Sequence, residues 1–198
     1  MLKSITLALL AAVLPLSVYA QGTKSGVKDD KRPVVVVSTS MGEIEITLDA
    51  EHAPVTVKNF LSYVNEGFYT GTVFHRIIPD FMVQGGGYTA QLVKKKTKPP
   101  IKCEAGNGLP NRRGSVAMAR TSHVNSATCQ FFINLVDNDF LDHKDETPRG
   151  FGYAVFGQVT KGMDIVDAIA AVKTARKSPQ FTNIPVEPVV IISIEPKK

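Results

Sequence analysis

The chain has 198 residues, 43% hydrophobic and 21% charged, with 23 Lys and Arg against 18 Asp and Glu for a formal net charge of +5. This is the balance of one ordinary soluble domain with enough apolar material for a closed core, and it excludes a disordered or collagen-like chain. The surplus charge is scattered except for Lys94, Lys95, Lys96 and Lys98, a run without the interleaved aromatics of a single-stranded nucleic-acid groove. It reads as a solvated loop, and no nucleic-acid partner is expected.

The first twenty residues stand apart. Lys3 supplies a positive start, Ile5 to Leu16 an apolar run broken only by Thr6 and Pro15, and Val18-Tyr19-Ala20 ends on the small residue a signal peptidase needs. Cleavage is expected after Ala20, making residues 1–20 a signal peptide. The apolar run falls short of the ~20 residues that span a bilayer and no second run follows, so stable membrane insertion is not expected. Residues 21–33, rich in Gly, Ser, Lys and Asp up to Lys31, read as a flexible leader. Export implies a periplasmic protein, with full secretion as the alternative. In an oxidising compartment Cys103 and Cys129 can pair, but a chain of this size does not need a disulfide, so their state is left open. Neither cysteine stands at a metal-ligand spacing with the other or with His52, His75, His123 or His143, so no metal is expected.

From Val34 onward the chain reads as strands. Val34 to Thr39 is β-branched, Ser40-Met41-Gly42 is a turn, and Glu43 to Leu48 alternates polar and apolar, which together predict a hairpin. Pro54 suits a first helical turn, and Val57, Phe60, Leu61 and Val64 recur with helical spacing until Gly67 supplies a stop. Extended segments are predicted at Thr72 to Ile78, Phe81 to Gln84, Ser115 to Arg120, Gln130 to Leu135 and Ala154 to Val159. A second helix is predicted from Met163 to about Val172, with Met163, Val166, Ile169 and Ala170 on one face, and a last strand over Val189 to Ile194. Seven or eight strands with two helices and no strand-helix alternation point to a mainly β fold, a closed antiparallel barrel capped by the helices, with residues 34–196 as one domain.

Hydrolase and nucleotide motifs are absent: there is no GxSxG, HExxH or Walker loop, and Gly85-Gly86-Gly87 lacks dinucleotide-loop spacing. What stands out is bulky apolar groups beside fixed polar ones in Phe74 to Gln84 and again in Gln130 to Asn134. Composition alone would make these aromatics barrel core and Arg76 a surface residue packing its stem on them.

The runs FHRIIPDFMVQGG (74–86), GSVAMAR (114–120), SATCQFFINL (126–135) and YAVFGQV (153–159) closely resemble the cyclophilin family of peptidyl-prolyl cis/trans isomerases, most of all its exported bacterial branch. The resemblance covers residues 34 to 194. It implies an eight-stranded antiparallel barrel with two helices, no cofactor, and a surface groove for X-Pro segments, here those of unfolded exported proteins; a monomer is expected. Carried onto matching positions, it makes Arg76 and Gln84 the catalytic set, lines the proline pocket with Phe81, Met82, Phe132 and Leu141, and has Gln84 and Gln130 hold the peptide. Ala119, Arg120 and Thr121 flank the residue before proline. Three departures matter. Phe140 stands where many members carry the Trp whose indole donates to cyclosporin, which implies weakened inhibition; Tyr153 replaces a pocket His, and Arg120 an Asn. None of the histidines needs a catalytic role: strand alternation would put His75 on the face opposite Arg76, as a satisfied structural residue. A non-catalytic peptide-binding chaperone on the same scaffold is the alternative function.

Overall fold

The computed structural model describes residues 31–197. The expected signal peptide, its cleavage point and the leader up to residue 30 lie outside them. Residues 31–33, assigned to the leader, are docked: Leu48 and Ala50 donate backbone N–H bonds to Pro33 (2.8 Å) and Lys31 (2.9 Å), and Lys31 pairs with Glu51 at 3.2 Å.

Eight strands close the barrel: β1 (Val34–Thr39), β2 (Gly42–Leu48), β3 (Thr72–Ile78), β4 (Met82–Thr89), β5 (Ser115–Met118), β6 (Phe131–Asn134), β7 (Val155–Lys161) and β10 (Val190–Pro196), in the order β1-β10-β3-β4-β6-β5-β7-β2. Every neighbouring pair is antiparallel. Two helices, α1 (Pro54–Asn65) and α2 (Met163–Ala170), bury Phe60, Tyr63, Val166 and Ile169 into the core. Inside, Phe60 meets Phe131 edge-on at 5.6 Å and Phe156 at 5.2 Å, while Phe131 also meets Tyr69 and Phe74.

Three features depart from the sequence reading. β4 does not end at Gln84 but runs through the glycine triplet, because the glycines are required by close packing rather than by a turn. A Cβ on Gly86, at φ +84°, would stand 2.8 Å from Tyr69, and one on Gly87 would stand 2.5 Å from the Gln130 side chain. A further two-stranded sheet, β8 (Thr174–Ala175) with β9 (Ile184–Pro185), was too short to carry a periodic signal. The lysine run is only partly solvated. Lys95 Nζ donates to the Phe68 carbonyl, and Lys98 Nζ donates to Ser62 Oγ (3.0 Å) and Glu66 (2.5 Å), so two of the four lysines tie this segment to the C-terminal end of α1, where the helix dipole favours a cation.

Both ends of α1 are held by identifiable bonds. At its C-terminus Gly67 adopts φ +63°, Gly67 N–H bonds to Val64 and Phe68 N–H to Tyr63, and the Phe68 and Tyr63 rings meet at 4.6 Å, the pattern of a Schellman stop. At its N-terminus Ala53 offers no capping oxygen. Glu104, distant in sequence, takes that place, accepting the N–H groups of Val55 (3.0 Å) and Thr56 (2.8 Å) and the Thr56 hydroxyl (2.7 Å). Because these bonds are charge-assisted and sit at the positive end of the dipole, Glu104→Ala is expected to cost about 2 kcal/mol, with Glu104→Gln recovering roughly half. An unchanged urea midpoint in the Ala variant would contradict this.

Candidate functional site

Alternation along four adjacent strands sorts the apolar residues into two clusters. Val83, Val116, Met118, Phe131, Ile133 and Phe156 point into the barrel core. Their neighbours Met82, Ala117, Phe132 and Val155 point outward and form a second cluster with Leu141, against which Phe81, Ala119 and Tyr153 pack. β5 and β6 are therefore buried on both faces. The outer cluster is covered by the segment between β6 and β7, and where that cover stops a cavity of about 310 Å³ remains, lined by Arg76, Phe81, Met82, Gln84, Ala119, Arg120, Phe132, Phe140, Leu141 and Tyr153.

Ten of the twelve residues singled out in the sequence line this one cavity. Gln130 lies just beyond it and is joined to it by hydrogen bonding. Thr121 stands outside, where its N–H (2.9 Å) and hydroxyl (2.8 Å) both bond to Ser126 Oγ.

Arg76 Nη1 donates to Gln84 Oε1 at 3.3 Å, and Gln84 Nε2 donates to Gln130 Oε1 at 2.9 Å, so one chain of side chains orients the guanidinium. Its carbon stands 5.8 Å from the Phe81 ring centroid and Nη1 lies 3.9 Å from Met82 Sδ. Desolvation against this wall lowers the Arg76 pKa, with Tyr153 opposing it; a guanidinium starts so high that the charge is retained. Phe140, 63% exposed, stacks on Phe81 at 5.5 Å, and Tyr153 meets Phe132 edge-on at 5.6 Å.

His75 is not where alternation put it. Phe74 pairs with Gly85 and Arg76 with Gln84, so His75 is an extra residue on β3. The bulge turns His75 and Arg76 both outward between the core residues Phe74 and Ile77. The ring lines a second cavity of about 210 Å³ that shares Arg76 and Gln84 with the first, also takes in Gln130, and is closed on its other side by Tyr88 and residues 180–183. It is 7% exposed, and its buried Nδ1 has no hydrogen-bond partner of regular geometry among the described residues, so the ring is not fully satisfied as expected. Desolvation lowers its pKa to about 4, helped by the Arg76 charge and opposed by hydrogen bonding to the Val73 backbone and the Gln130 side chain.

The sequence reading also missed what positions the groove. Asn134 Nδ2 donates to Asn111 Oδ1 (3.2 Å) and Ser115 Oγ (2.9 Å), and Asn138 Nδ2 donates to Asn134 Oδ1 (2.8 Å) and the Phe81 carbonyl (2.9 Å). Asn111 in turn donates its N–H and its Nδ2 to Asp142. This buried amide network ties the Phe81 turn to the segment carrying Phe140 and Leu141. Its trace in the sequence is slight: Asn134 stands among bulky apolar residues, while Asn111 and Asn138 sit in polar stretches that composition reads as turns. Cys103 and Cys129 are both buried free thiols, and burial raises both pKa values.

Residues 34–195 match the family described as "Cyclophilin type peptidyl-prolyl cis-trans isomerase/CLD". The chain is 57% identical over 159 residues to "Peptidyl-prolyl cis-trans isomerase A" of Dickeya dadantii, covering 80% of this chain and 82% of that one. It is 52% identical over 161 residues to "Peptidyl-prolyl cis-trans isomerase B" of Escherichia coli, covering 81% and 98%. A solved cyclophilin-type isomerase of Cryptosporidium parvum superposes with a TM-score of 0.69 at 22% identity over 84% of this chain and 98% of that one, which places the fold. A closed eight-stranded antiparallel barrel with two helices, an outward groove that holds an arginine beside an apolar pocket, and a family match across the whole barrel agree: the chain belongs to the cyclophilin family of peptidyl-prolyl cis-trans isomerases.

Proposed function

We propose that the protein accelerates X-Pro rotation in exported proteins as they fold outside the cytoplasm, with Arg76 as the catalytic residue and the outer apolar cluster as the proline pocket. The observation that carries the reading is the Arg76 guanidinium held by Gln84 at 3.3 Å at the edge of that pocket. The barrier to rotation is ~18–20 kcal/mol and comes from amide resonance. No covalent bond is made or broken, so no nucleophile or proton relay is required. In the twisted transition state the prolyl nitrogen regains a lone pair. A guanidinium N–H aimed at it stabilises that state more than the planar ground state. Met82, Phe132 and Leu141 grip the ring, and their low polarity strengthens the arginine's field. Gln84 and Gln130 hold one side of the bond while the other turns, and Ala119 and Arg120 border the residue before proline.

A protease-coupled assay on a short X-Pro peptide tests the chemistry. Refolding of an exported protein limited by a prolyl bond tests the cellular role, and fractionation against an outer-membrane control tests the periplasmic address. A chaperone without catalysis would bind unfolded chains yet leave the isomerisation rate at its spontaneous value. Phe140 offers no ring N–H in place of the indole, so cyclosporin is expected to inhibit only weakly and Phe140→Trp to strengthen inhibition. Nanomolar inhibition of the unmodified protein would overturn that expectation.

A further inference from the structure

Arg120 places a second fixed guanidinium on the groove. It leaves the end of β5 and is clamped by three main-chain carbonyls: Nε donates to Gly152 (2.8 Å), Nη1 to Thr121 (3.0 Å) and Nη2 to Pro148 (3.0 Å). The guanidinium carbon lies 4.9 Å from the Tyr153 ring centroid. Carbonyl dipoles and a ring face hold the charge in place without neutralising it. Among the described residues no carboxylate pairs with Arg120 or with Arg76. The acids of the segment between β6 and β7 have other partners: Asp137 and Asp139 bond to Arg112, Asp142 to Asn111 and Asp145 to Thr147, and Glu146 lies 3.7 Å from His143. Arg76 and Arg120 line the same cavity, and no acidic side chain lines it with them.

We propose that Arg120 is a specificity-determining residue that makes this groove favour X-Pro segments with an acidic residue immediately before the proline over those with a basic one. This rests on the reading of the groove as the peptide site. A charge that is held rather than mobile loses little side-chain entropy when an opposite charge arrives, and it repels a like charge without being able to swing away. Discrimination arises as the difference between the two substrates, attraction for one and repulsion for the other. At a partly exposed site the pair is screened, so the expected selectivity is modest.

The test uses three capped peptides, Ala-X-Pro-Ala with X as Glu, Gln or Lys, and reads isomerisation by NMR exchange so that no protease preference enters. For the unmodified protein kcat/KM is expected to fall in the order Glu, Gln, Lys, with Glu over Lys by about threefold to tenfold at low salt. The ratio should shrink toward one as the Debye length falls to ~3 Å at 1 M salt. Arg120→Gln should bring the ratio within about twofold of one, whereas Arg176→Gln, at an exposed arginine outside the cavity, should leave it as it was. A merely structural Arg120 would lower all three rates together and keep the ratio. Equal rates for Glu and Lys with normal turnover of the Gln peptide, or a ratio indifferent to salt, would overturn this proposal while leaving the isomerase reading in place. Failure to turn over any of the three peptides would overturn both.

Discussion

Arg76→Ala is expected to lower kcat/KM on a short X-Pro peptide by about 100-fold or more, the scale on which removing one donor aimed at developing electron density acts. The residue lies at the surface, only partly covered by the pocket wall, and its backbone belongs to the barrel wall, so the variant should keep its unfolding free energy within the ~0.5 kcal/mol typical of surface changes. Arg76→Lys should fall in between. It keeps a positive charge but replaces the planar fork with one mobile ammonium, which cannot bond to Gln84 and reach a prolyl nitrogen in the same fixed geometry. Peptide affinity, read by titration, should fall far less than turnover, since the apolar wall remains. Turnover by Arg76→Ala as fast as the unmodified protein would remove the arginine from the mechanism.

Stability is expected to decline between about pH 6.5 and pH 4, and His75 is the reason. Its pKa falls from 6.5 to about 4 through burial, reinforced by the adjacent Arg76 charge and only partly offset by hydrogen bonding to Val73 and Gln130. The unfolded chain therefore takes up a proton before the folded one does. The stability that neutral His75 permits is complete above pH 6.5, is lost as pH falls, and stops falling near the folded value. The full effect amounts to about 3 kcal/mol by linkage. The carboxylates whose pKa values are lowered, Glu45, Asp49 and Asp145, titrate below their ordinary values and so act mainly beneath this window. His75→Phe keeps a ring against Tyr88, which now stands 4.7 Å away, and removes both the titration and the unpaired Nδ1. Urea unfolding at pH 7, 5.5 and 4 should show a flatter profile for the variant. Identical slopes for the two proteins would sink the assignment.

How far the sequence could be read depended on the range of the interaction behind each feature. β1 and β3 have the boundaries that β-branching and punctuation predict, and α1 ends where Gly67 reverses the chain, because these are decided by residues a few positions apart. The glycine triplet misled because its meaning lies in what it touches. Gly86 and Gly87 are small to admit Tyr69 and the Gln130 side chain, from distant parts of the chain, and nothing local shows that the strand continues through them. The His75 error had a similar origin. Alternation holds only while pairing is regular, and the extra residue on β3 exists through its register against β4.

The residue types of the site were also legible, since the long runs around Arg76, Phe132 and Tyr153 identify a family and with it a set of positions. The sequence by itself determined that the chain is a barrel of this kind and named ten side chains that line its groove, because period-two patterning and motif identity are properties of the linear order. Only the tertiary structure decided that Gln84 and Gln130 orient Arg76 in series, that Asn134 and Asn138 hold the groove's rim, and that Glu104 caps a helix far away in sequence. It also decided that Arg120 is clamped over Tyr153 with no carboxylate paired to it among the described residues. These depend on which atoms closure of the barrel brings within hydrogen-bonding distance, and that distance is set by packing across the whole domain.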